Sequence, residues 1–90
     1  MSTEHSFQAR EGSILIVTDV DSSINPPGIV IDYGGHQFRV KECIGVGHTP
    51  PLPCINDMLV AKKHSPSGNT SVYRYSDKQE YFLCGIVPKG

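Results

Sequence analysis

The sequence predicts an all-β fold: a small single-domain β-barrel or orthogonal sandwich of about six short, mostly antiparallel strands. Three observations point there. Nine glycines and seven prolines divide 90 residues into short pieces. The longest interval free of both, residues 69–84, is rich in β-type side chains. The stretch Ile29–Val40 reads as a hairpin closed by Gly34-Gly35, since a primed two-residue turn needs positive φ and glycine adopts it freely.

In that hairpin Tyr33 faces His36, Ile31 faces Phe38 and Ile29 faces Val40, all on one face because side chains alternate along a strand. The other face pairs Asp32 with Gln37 and Val30 with Arg39. Residues 1–11 read as a flexible polar tail, and residues 12–90 as the domain. Ile14-Leu15-Ile16-Val17, extended to Val20, is apolar on both faces and predicts a strand covered on each side. Residues 21–28 form a loop, in which Pro27-Gly28 suits a type II turn.

The strand after the Gly-Gly turn is expected to run on toward Val46. Its register then places Glu42 on the apolar face, so either a bulge resets the alternation or the strand leaves the core. Residues 47–54, with Pro50, Pro51 and Pro53, make a second, stiffened loop. Residues 56–64 are compatible with a short helix capped by Asn56 or with a strand. The hairpin loop at 65–69 and the returning strand at 71–75 favour the strand. A last strand runs from Tyr81 to Val87, where Pro88 stops it. In size the domain is SH3-like or OB-like.

Composition narrows the function. A chain this short buries roughly 60–65% of its unfolded surface, so its core is modest. No apolar run approaches the ~20 residues that span a bilayer. The polar start Met1–Ser6 lacks a signal-peptide core, and three cysteines are a poor disulfide framework, so a cytoplasmic location is expected. A net charge of −1 argues against a generally basic nucleic-acid binder but leaves room for a local patch.

Catalytic and metal chemistry find little support. Ile14–Ser22, four apolar residues followed by Asp19-x-Asp21, resembles the first motif of the haloacid dehalogenase family. That resemblance would make Asp19 a nucleophile and Asp21 an acid/base beside magnesium. The family's parallel sheet needs crossover helices, for which this chain has no room. The stretch therefore reads as a strand entering an acidic turn. Cys43, His48, Cys54 and His64 lack the close cysteine pair of a structural zinc site. Cys84 lies in an apolar strand, and nothing orients Cys54 and His48 as a catalytic pair. No enzyme activity, metal or cofactor is expected.

What remains is binding. The stiffened loops lose little entropy on docking, and they nominate Ile24, His48, Pro50 and Leu52 for a protein partner. An open sheet edge would add β-augmentation or a homodimer through edge strands. The alternative is a nucleic-acid surface built from Arg39, Lys41, Lys62, Lys63 and Arg74. Tyr73 and Tyr75 share the face opposite Arg74, which reads them as core.

Overall fold

In the computed structural model Gly34 and Gly35, at φ of 62° and 83°, close the hairpin. The model describes residues 10–24, 27–47, 52–64 and 69–89, with the side chains of residues 63 and 64 excepted. The hairpin strands are β2 (Gly28–Tyr33) and β3 (His36–Gly45). Their register is the one that alternation dictates, with Tyr33 opposite His36, Ile31 opposite Phe38 and Ile29 opposite Val40. Four other strands complete the sheet: β1 (Ile14–Asp21), β4 (Met58–His64), β5 (Thr70–Arg74) and β6 (Glu80–Pro88).

All neighbouring strands are antiparallel, and they close into a barrel in the order β1-β2-β3-β6-β5-β4. The closing seam is short. Ile14, Leu15 and Ile16 pair with Val60, Leu59 and Met58. Backbone bonds from Gly12 N to Ala61 O (2.8 Å) and from Val17 N to Asp57 O (3.0 Å) extend it at either end. The closed barrel is one of the two arrangements expected from the sequence, and it pairs every strand on both sides over part of its length, including the edge considered for β-augmentation.

The barrel interior is filled by Leu15, Val17, Ile31, Val40, Leu59, Val72 and Leu83, none of which exposes any surface, with Ile29, Phe38 and Tyr81 nearly as enclosed. Residues 58–64 are strand, not helix. Leu59 and Ala61 point into the core, and Asn56 has φ of 75°, a left-handed turn conformation incompatible with an N-cap. No helix occurs among the described residues.

Two irregularities decide which side chains face out. In β1 the register with β2 shifts between Val17 and Asp19, so Thr18 is the extra residue of a bulge. Leu15 and Val17 point inward before it and Val20 packs on the core after it, which turns Asp19 and Asp21 outward. In β3 the alternation also resets, from Val40 to Cys43, and Glu42 is exposed. Gly85, at φ of 68°, lies opposite this step on β6, where the inward phase passes from Leu83 to Ile86. The strand thus stays in the sheet and the step absorbs the mismatch.

β1 is not covered on both sides. Leu15 and Val17 are fully buried, but Ile14 is 43% exposed and Ile16 half-buried. A single-layer barrel covers only its inner face.

Candidate functional site

The end of β5 runs against expectation. Thr70, Val72 and Arg74 share the inward phase, so Arg74 is 8% exposed while Tyr73 and Tyr75 face out. The guanidinium is held internally. Nε donates to Asp77 Oδ1 (3.0 Å) and Nη2 to Asp77 Oδ2 (2.7 Å). Nη1 donates to Asp57 Oδ2 (3.1 Å) and to the Leu52 carbonyl (3.4 Å), and the group lies 5.9 Å from the centre of the Tyr81 ring. The bidentate bond to Arg74 holds the Asp77 carboxyl down at about 2, helped by the Gln79 amide. Arg74 ties the loop before β4 to the turn after β5, with its side chain 9% exposed.

The outward tyrosines complete an apolar stripe across three strands. In one row Ile16 of β1 pairs with Met58 of β4, and the Met58 carbonyl accepts the Tyr75 amide (2.9 Å). In the next, Ile14 pairs with Val60, which pairs with Tyr73. Alternation places all six side chains on the outer face, although Val60 is covered there to 8% exposure. Met58 is 41% and Tyr75 59% exposed. The Lys78 ammonium sits over both rings, 4.5 Å from the centre of Tyr75 and 5.2 Å from that of Tyr73. At the β2 end of the first row stands Asp32, whose Oδ1 is shielded from solvent and receives no hydrogen bond.

A second feature gathers three of the residues nominated from the sequence. Ile24, Arg39 and Lys41 line a cleft of about 500 Å³ outside β1, β2 and β3, together with Asp19 and Asp21. Asp19 pairs with Val30 and Val30 with Arg39, so an acid, an apolar residue and a base stand in one row. In the next row Asp21 pairs with Gly28, with Lys41 beyond. Hydrogen bonds from the Ser23 hydroxyl (2.5 Å) and amide (3.0 Å) hold the Asp21 carboxyl below its usual range, and Arg39 adds a smaller attraction.

The other nominated residues do not converge. His48 and Pro50 lie outside the described residues, as does the Lys63 side chain. Leu52 is 40% exposed and does not line the cleft. Lys62 pairs with Glu80 at 3.1 Å on β4, the wall opposite β3 in the six-strand ring. Lys62 and the Arg39/Lys41 pair therefore face different directions and form no common groove.

The cysteines are dispersed. Burial, then proximity to Cys84, pushes the Cys43 thiol up to about 12, and burial also raises Cys84. Cys54 is exposed. Among the described residues no three His, Cys, Asp or Glu side chains come together as a metal site.

The sequence reading missed the stripe and the acidic bank of the cleft. Asp77, three residues after Arg74, was the one local signal that the arginine had an intramolecular partner. The chain forms a closed, six-stranded antiparallel β-barrel with an apolar outer stripe and a charged cleft. No family model matches it, and no curated protein or solved structure matches it either.

Proposed function

We propose that this barrel is a non-catalytic binding module, an adaptor or regulator, that engages a protein partner through the outer face of β1, β4 and β5. One observation carries the reading: Ile14, Ile16, Met58, Tyr73 and Tyr75 adjoin one another on the outside of the barrel around Val60, which is itself only 8% exposed. Scattered apolar residues on a surface are ordinary, but contiguous ones mark contact sites. Tyrosine and methionine are also favoured at protein interfaces. The surface supports a protein more than a nucleic acid. Lys78 already occupies the ring region on which bases would stack, and Lys62 is paired with Glu80. This stripe replaces the proline-containing loops as the contact surface.

The test is capture from host extract with wild-type protein, Met58→Asp and Tyr75→Ser, each with and without nuclease. Both positions are exposed, so thermal melting should change little. Proteins that survive nuclease, bind the wild type and are lost from both variants support the reading. Capture unchanged by both substitutions, or abolished by nuclease, overturns it.

A further inference from the structure

We infer that the cleft over β2 is a second binding site, distinct from the stripe, that takes an extended peptide segment of alternating basic and acidic residues. Its two banks carry opposite charge. Asp19 and Asp21 stand on β1, and Arg39 and Lys41 on β3. Between them the floor is Val30, largely buried, and Gly28, which has no side chain. Ile24 leans over one end, its Cδ1 atom 3.4 Å from where a side chain on Gly28 would begin. Neither Arg39 nor Lys41 makes an ion pair within 4.0 Å with a described residue, although Arg39 attracts Asp21 and the Lys41 stem leans over Gly85 of β6.

The geometry selects the ligand class. A simple anion attracted by the basic bank meets two carboxylates across the floor, and a simple cation meets the reverse. A ligand with both charges, one on each side, satisfies both banks. The banks stand two strand spacings apart, roughly 9.6 Å. An extended chain lying over β2 is thus flanked by charge at about half that distance on each side. Its successive side chains point to opposite banks, and those two residues apart recur every ~6.7 Å. Asp19 and Asp21 are themselves two residues apart on one strand, as are Arg39 and Lys41 on the other. An alternating basic–acidic segment therefore matches the site in both sign and repeat. The Thr18 bulge is what turns the two aspartates outward to make the acidic bank.

The probe is a short blocked peptide of alternating lysine and glutamate, titrated into isotopically labelled protein and followed by amide chemical shifts. The controls are oligolysine, oligoglutamate and a peptide of the same composition in two like-charged blocks. The alternating peptide should move the amides of residues 19, 21, 28, 30, 39 and 41, and its binding should weaken as salt rises. The double variant Arg39→Glu/Lys41→Glu should weaken it by about tenfold or more. Exchanging both banks, by adding Asp19→Lys and Asp21→Lys, should restore binding, because shifting the peptide by one residue reverses its two sides. Three results would overturn the inference: equal shifts with oligoglutamate, equal binding of the block peptide, or no shifts with the alternating peptide at low salt. The stripe variants leave this experiment untouched, so the two readings fail separately.

Discussion

The side chain of Lys41 lies across Gly85, its Cβ only 2.9 Å from the point where a side chain on that glycine would start. Gly85 also has φ of 68°, a conformation that other residues adopt only at a cost. Both facts belong to the step where β3 and β6 reset their alternation together. A methyl group there meets the stem of Lys41 and strains the backbone. Gly85→Ala should therefore destabilise the fold by about 1–3 kcal/mol. Urea unfolding with an unchanged slope and a lowered midpoint is the expected result; an unchanged midpoint would show that the step relaxes freely.

Arg74→Met keeps most of the side-chain length and removes the charge. It leaves Asp57 and Asp77 without their shared cation, and should cost about 2 kcal/mol, less than a fully enclosed pair would because both carboxylates keep contact with water. The pH dependence carries its own signature. Asp77 titrates at about 2 in the folded protein, below the ordinary carboxylate range of the unfolded chain. Its contribution is therefore complete above roughly pH 4 and is lost as pH falls toward 2. Acid titration of stability should be shallower in that window for Arg74→Met than for the wild type. Parallel curves would mean that Asp77 draws its stabilisation from elsewhere.

The three thiols should separate by reactivity. Cys54 is exposed, Cys84 is partly enclosed, and Cys43 is buried with its thiol pushed up to about 12. The thiolate is the reacting form. A chromogenic disulfide reagent at neutral pH should label Cys54 first and leave Cys43 untouched until the barrel is unfolded with denaturant. Rapid labelling of Cys43 in the folded state would show that the β3–β6 wall opens.

Leu52 contributes its carbonyl to Arg74, while its side chain is 40% exposed. Leu52→Asp changes only the side chain and should leave stability within about 0.5 kcal/mol and the melting temperature within about 4 °C. It should also leave partner capture intact, because the stripe rather than this loop makes the contact. A larger fall in melting temperature would place the Leu52 side chain in the core.

The hairpin was legible residue by residue because its instructions are local. Gly34-Gly35 allows one tight turn, and once the turn is set the period of two assigns each partner from Tyr33–His36 to Ile29–Val40. The strand at 58–64 was legible through its neighbours: a returning strand at 70–74 needs an antiparallel mate. Arg74 was not legible. Alternation correctly put it opposite Tyr73 and Tyr75 but could not say which side was inside, and hydrophobicity chose the tyrosines. Asp57 and Asp77 reversed that choice: Asp77 lies in the turn three residues on, but Asp57 meets the guanidinium only after β4 and β5 have come together.

The same limit applied to the charged cleft. Asp19 and Asp21 share a bank, and Arg39 and Lys41 share another, by simple alternation. That the two banks face each other across Val30 depends on the bulge at Thr18, whose presence no local residue preference announces.

The short strands, the Gly-Gly turn and most of the core were thus determined by the order of residues alone, because they follow from backbone sterics and from period-two burial. Closure of the sheet and the inside-out placement of Arg74 and its tyrosines were decided only by the tertiary structure. So was the juxtaposition of the charged banks. Each depends on partners distant in the chain, whose mutual distances the sequence does not contain until the barrel brings them together.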